Sequence, residues 1–168
     1  FSTLDPKLIN ILETAAYIGN DFEATVLGNV WDMTRLDVLL LLRQAQKIGL
    51  IIDKSEHDDV FQFKSKIIIK QLREYSVSSF TNSQSDKQAV PQLIKLYHKK
   101  IIEAFEGLSQ EKQNAVDYNM ICSMAERAYA YKENLHEKAL KYTSLAFSLS
   151  IEKGNLMNAK IYFEYFLD

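Results

Sequence analysis

The sequence predicts a mainly α-helical chain with one small β-hairpin, and three observations lead there. Gly and Pro are scarce, five and two in 168 residues, too few for the many turns of an all-β sandwich. Apolar residues recur at helical spacing along most of the chain. Only two short runs, Leu50-Ile51-Ile52 and Val60-Phe61-Gln62-Phe63, concentrate β-branched and aromatic side chains, the mark of strands.

The first helix is announced by Asp5-Pro6, an N-cap acid followed by a proline at the first helical position. Leu8, Ile11, Leu12, Ala15 and Ala16 share one face, and Gly19 closes the pattern. Asp21 is expected to cap a second, short helix bearing Phe22, Val26, Leu27 and Val30. Thr34 and Asp37 form a capping box, with Met33 and Val38 as a hydrophobic staple. The helix they open runs to about Ile48, where Gly49 supplies a glycine C-cap. The two β runs then form a hairpin around the polar stretch 53–59, and helical spacing resumes with Ile68, Leu72 and Tyr75. Three helices, a hairpin and a closing helix in about 80 residues is the layout of a winged-helix domain, assigned to 1–80.

The Ser-rich stretch 78–86 has almost nothing to bury and reads as a loop; the linker is placed at 81–91. The rest, 92–168, is expected to be helical. Leu93, Leu96, Tyr97, Ile101 and Phe105 form a stripe that ends at Gly107, and Ser109 is expected to cap a new helix. Further helices are expected over 118–132, 135–153 and from Leu156 onward, punctuated by Asn134 and Gly154. A shift of 34 residues superposes Ala125 on Ala159, Tyr129 on Phe163 and Tyr131 on Tyr165. That period, in antiparallel helical hairpins with small Ala at the contacts, is the tetratricopeptide signature.

Composition excludes several classes. The 47% hydrophobic and 25% charged residues are globular proportions. A net charge of −2 disfavours a dedicated nucleic-acid binder, whose footprint is basic. The longest apolar run, 38–42, is five residues and far short of a membrane span. A single cysteine, Cys122, rules out an internal disulfide and points to a reducing, cytoplasmic location. The chain opens on Phe1 and stops within a helical pattern, so it is expected to be part of a larger protein.

Catalytic signatures are absent. The glycines are too dispersed for a phosphate-cradling loop, and no H-E-x-x-H, C-x-x-C or G-x-S-x-G is present. His57 among Glu56, Asp58 and Asp59 reads as a solvated hairpin tip, since metal ligands need rigid placement. Cys122, among Met120, Ile121 and Met124, reads as a buried structural thiol. The chain is therefore expected to be no enzyme and to need neither cofactor nor metal. DNA binding is the main rival. Arg35, Arg43 and Lys47 on the third helix are the residues it would use. Against it, Leu36 and the run 38–42 clothe most of that helix, as if it were packed on several sides. The hairpin tip also sets one cation, Lys54, against Asp53, Glu56, Asp58 and Asp59, which phosphates would repel.

Four blocks resemble one protein family in order and spacing. The run 4–22 is similar to an "L-x-P-x-x-x-x-x-L-x-x-A-A-x-x-G-x-x-F" opening, and Gln46-Lys47-Ile48-Gly49-Leu50-Ile51 to an "A-x-x-x-G-L-I/L" block. Phe61-Gln62-Phe63-Lys64-Ser65-Lys66-Ile67-Ile68 resembles "Y-x-F-x-H-x-L-I", and the helix 96–104 resembles "R-L-H-x-x-I-A-x-A". Together they resemble the region downstream of the nucleotide-binding core in STAND-type signalling ATPases. The resemblance implies a winged helix acting as a regulatory lid on the ATPase core, followed by helical repeats that receive a protein partner. Ser65 stands where many members carry a histidine linked to nucleotide sensing; a hydroxyl can donate to a phosphate but supplies no titratable cation. Tyr129, Tyr131 and Phe163 are the expected partner-binding residues of the repeat groove.

Overall fold

A computed structural model of the chain describes residues 3–54, 59–81, 89–111 and 118–167. The chain is mainly helical with one small three-stranded antiparallel sheet, in the order α1 (Pro6–Ile18), β1 (Asp21–Glu23), α2 (Ala24–Trp31), α3 (Arg35–Lys47), β2 (Ile51–Asp53), β3 (Val60–Phe63), α4 (Lys66–Thr81), α5 (Ala89–Glu111), α6 (Tyr118–Ala130), α7 (Lys132–Glu152) and α8 (Leu156–Leu167). Two compact units divide it, Phe1–Ala104 and Phe105–Asp168.

In the first unit the caps act as the sequence implies. The Asp5 carboxylate accepts the Lys7 amide at 2.8 Å, and Pro6 occupies the first turn of α1. The Thr34 hydroxyl accepts the Asp37 amide and donates to the Asp37 carboxylate. At the end of α3, Gly49 adopts a φ of +80°, and the Leu50 amide reaches back to the Ala45 carbonyl. That left-handed residue closes a Schellman turn, which glycine alone enters without steric cost. Leu8, Ile11 and Leu12 of α1, Leu27 of α2, Leu41 and Leu42 of α3, and Leu72 of α4 share one core with the sheet.

Asp21 departs from expectation. It begins strand β1 instead of capping a helix, because Phe22 is buried and its ring meets Phe61 and Phe63 at centroid distances of 6.3 and 5.0 Å. Strand β3 is central, flanked by β1 and β2, with Phe22 opposite Phe61 and Ile51 opposite Phe63. The Asp21 side chain instead accepts from Lys54 at 2.6 Å and Gln62 at 2.8 Å.

The expected loop and linker also shift. Ser78 and Ser79 lie within α4, their hydroxyls turned back onto the carbonyls of Tyr75 and Ser76. The remaining loop positions, 82–86, lie outside the described residues. Position 81 and positions 89–91 are helical, and the rest of the linker expected at 81–91 lies outside the described residues. The division falls within α5 because the first part of that helix is held in the first unit: the Tyr97 ring stacks on Tyr17 at 4.6 Å, and the Lys100 ammonium sits 5.7 Å from the Trp31 ring centre. Gly107 does not end the helix, and position 109 lies inside α5 instead of capping a new one.

The second unit contains the end of α5 and helices α6, α7 and α8. Tyr118 at the start of α6 meets Ser150 near the end of α7, their hydroxyls 2.9 Å apart, so α6 and α7 are antiparallel. Asn158, early in α8, donates to the Tyr118 hydroxyl, and Tyr165 late in α8 stacks on Tyr129 at 3.7 Å. Helices α6 and α8 therefore run side by side in the same direction. The break expected at Asn134 is a kink at Leu135, with φ −125° and ψ 31°, inside α7. Gly154, at φ +68°, closes α7, and the Asn155 side chain then caps α8. Cys122 is half-buried instead of fully enclosed.

Candidate interaction surfaces

In the first unit, α3 turns Val38, Leu41, Leu42 and Ala45 into the core. Leu36, Leu40, Arg43 and Lys47 follow at steps of four, three and four residues, which places them together on the opposite side. All four are exposed, Leu36 at 65% and Leu40 at 50%. The helix is thus not packed on several sides: two leucines stand in solvent on the same outward stripe as its cations. Arg35 has a different role, since its guanidinium is ion-paired with Asp59, which also accepts from Thr25. Of the three predicted DNA-contacting residues, Arg43 and Lys47 share the outward face and Arg35 is tied to the loop before β3.

The hairpin cation is similarly engaged. Desolvation pushes the Asp21 carboxyl up, but the hydrogen bonds from Lys54 and Gln62 and the Lys54 charge outweigh it and hold the group below the usual carboxylate range. Positions 55–58, including His57, lie outside the described residues. Ser65 immediately precedes α4, and its hydroxyl accepts the Ile67 amide at 3.1 Å. That is a capping contact.

Glu13 is the buried acid of this unit, 6% exposed. Desolvation raises its pKa, opposed by the hydrogen bond the Tyr97 hydroxyl donates at 2.9 Å. Tyr97 is pushed up in turn, first by burial and then by the Glu13 charge. Nearby, the Arg73 guanidinium donates twice to the Ala16 carbonyl, at the negative end of α1.

In the second unit a cavity of about 270 Å³ opens beside the first turns of α7. The stacked pair Tyr129 and Tyr165, with Phe166, form its aromatic wall. Ala139 and Thr143, both buried, line its inner part. The exposed Glu133, His136 and Leu140 stand around its mouth, and the Lys132 ammonium lies 4.7 Å from the Tyr129 ring centre. Of the three predicted partner-binding residues, only Tyr129 lines it. Tyr131 occupies the turn between α6 and α7, where its amide bonds the Ala128 carbonyl. Phe163 is exposed on α8 and meets Phe147 at 6.1 Å. The structure does not gather the three into one groove. Thr143 was missed as a cavity residue, although Lys132, His136, Ala139 and Thr143 fall at helical spacing in the sequence.

Among the described residues no group of three or more His, Cys, Asp or Glu side chains could hold a metal ion, and no helix is long and apolar enough to cross a membrane. No family model, no curated protein and no solved structure matches the chain.

Proposed function

We propose that this chain is a non-catalytic regulatory and protein-interaction segment of a larger cytoplasmic signalling ATPase of the STAND type. The first unit is a winged helix that docks on the nucleotide-binding core, and the second begins a tetratricopeptide-like array that receives a protein partner. Support for the winged helix comes from the element order α1-β1-α2-α3-β2-β3, with β2 and β3 forming a hairpin directly after α3. Support for the array comes from Ala125 and Ala159, 34 positions apart and both buried, on helices that run parallel.

The observation that carries the docking role is the pair of exposed leucines on α3. A helix that reads DNA offers hydrogen-bonding and cationic groups to base edges and phosphates. Leu36 and Leu40 occupy the part of the outward face nearest its start, where a protein surface covers them far more favourably than a hydrated groove does. Arg43 and Lys47 complete an apolar patch with a basic end, which suits an acidic rim on the core.

The test is the double substitution Leu36→Glu/Leu40→Glu. In the isolated chain it should leave unfolding stability within about 0.5 kcal/mol, since neither side chain is in the core. In the full-length ATPase it should change basal nucleotide hydrolysis several-fold by releasing the docked unit. Unchanged hydrolysis sinks the lid assignment. The alternative, a DNA-binding module of a transcriptional regulator, would instead show salt-dependent duplex binding that Arg43→Ala and Lys47→Ala weaken.

A further inference from the structure

Helix α8 carries apolar side chains well beyond the face it buries. Six of its twelve residues are large apolar side chains at least 39% exposed: Leu156, Met157, Ile161, Phe163, Phe166 and Leu167. Its inward side is already occupied, since Ala159 and Tyr162 are buried and Tyr165 stacks on Tyr129 of α6. At about 100° per residue, the positions farthest from Tyr162 are Leu156, Met157, Lys160, Glu164 and Leu167, with Ile161 and Phe163 at the edges. All seven are exposed. An apolar stripe of this extent marks an interaction face.

The charges within the stripe define what covers it. Lys160 and Glu164 are the only charged side chains among the described residues of α8, one turn apart in the middle of the stripe. Within the helix they approach only to 3.9 Å, and their side chains are 78% and 60% exposed, so both keep hydrogen-bonding capacity for another surface. A complementary surface needs a carboxylate opposite Lys160, an ammonium opposite Glu164, and apolar side chains to either end. The stripe itself, turned end for end, meets that description. Antiparallel pairing about a two-fold axis level with Tyr162 sets each Lys160 against the Glu164 of the other copy. The same pairing brings Met157 level with Leu167 and Ile161 level with Phe163, so apolar meets apolar on both sides of the charges. Parallel pairing would set Lys160 against Lys160 and Glu164 against Glu164, which repels.

We propose that the outward face of α8 is a homodimer interface, in which two copies of this chain pair their α8 helices antiparallel and exchange Lys160–Glu164 ion pairs. Such an isologous contact is self-complementary and closes on itself. The proposal goes beyond the docking and partner-binding roles given above and uses neither. Twelve helical residues span about 18 Å, and pairing one side of them covers on the order of 500 Å² per copy, at the small end of specific interfaces. The dimer is accordingly weak, with a dissociation constant in the micromolar range.

The test is analytical ultracentrifugation of the whole 168-residue chain from low to several hundred micromolar. The unsubstituted chain should pass from monomer to dimer across that range. Met157→Glu/Leu167→Glu should abolish the dimer while leaving the circular dichroism spectrum and melting temperature of the monomer in place, since both side chains are exposed. Lys160→Glu alone sets four carboxylates together at the two-fold axis and should weaken the dimer about tenfold. Lys160→Glu/Glu164→Lys should restore it to within about twofold, because the exchanged charges still alternate. A chain that stays monomeric throughout gives the stripe to another helix, of this protein or a different one, and overturns the second copy as its occupant. A dimer that survives Met157→Glu/Leu167→Glu overturns α8 as the interface, and one broken instead by Leu36→Glu/Leu40→Glu assigns it to α3. Failure of the charge exchange to restore the dimer overturns the antiparallel pairing. Hydrolysis by the full-length ATPase enters none of these readouts, so this proposal and the docking of the first unit fail separately.

Discussion

Glu13 buries its carboxyl within the first unit, where it accepts a hydrogen bond from the Tyr97 hydroxyl. Burial raises its folded pKa above the ordinary 4.5, so the folded state binds this proton more tightly than the unfolded one. The stability Glu13 contributes is then fully present below pH 4.5 and is lost as pH rises through the raised value. Asp21 and Glu106 titrate in the opposite sense. Glu106 of α5 is raised by desolvation but lowered further by the hydrogen bonds that Lys138 and Tyr142 donate to it and by the Lys138 and Lys141 charges. Both acids are held below their ordinary values, so their stabilisation is lost on acidification. The two effects separate in a variant. Relative to Glu13→Gln, the unsubstituted chain should lose melting temperature steadily as pH is raised from 4.5, measured by circular dichroism. A difference independent of pH would mean that Glu13 ionises as freely folded as unfolded. Burial of an acid of this kind is illegible in sequence, where Glu13 is one of 22 acidic residues and its partner lies 84 positions away.

Helices with strong terminal signals were legible, and the reasons are local. Asp5-Pro6, Thr34 with Asp37, and Gly49 each fix a boundary through contacts within a few residues. Strand β1 was not legible, because its three residues become a strand only when Phe61 and Phe63 arrive to cover Phe22. Gly107 misled for a related reason: glycine signals an end only where the backbone turns left-handed, and this one is still helical, one turn before α5 ends. A Cβ built there would meet nothing within 4 Å. Gly107→Ala should therefore raise stability by about 0.5–1 kcal/mol in chemical denaturation, since alanine fits the helix and restricts the unfolded chain. A loss of stability would mean that the helix is broken at that point. On α3 the leucines were visible in sequence, but spacing alone could not divide Leu41 and Leu42, which are buried, from Leu36 and Leu40, which are not.

For the whole molecule, acidic and basic residues nearly balance, at a formal charge of −2, and two of the cations nearest the hairpin, Arg35 and Lys54, are committed to Asp59 and Asp21. Phosphate binding is driven by counterion release and needs several uncommitted cations on one face. Fluorescence anisotropy with mixed-sequence duplex at low salt should accordingly show no titratable binding; a steep salt-dependent curve would reverse the assignment of α3. The two units also differ in how far along the chain their contacts reach. In the second, α6 packs on α7 and α7 on α8, each a neighbour in sequence. In the first, Asp21 of β1 pairs with Gln62 of β3, 41 residues on, and the intervening chain must be gathered before that edge of the sheet can close. Loop-closure entropy slows such pairings relative to helical hairpins. On refolding of the full chain, the helical unit at the far end should gain structure early, while the sheet, and with it the seating of Phe22, completes late.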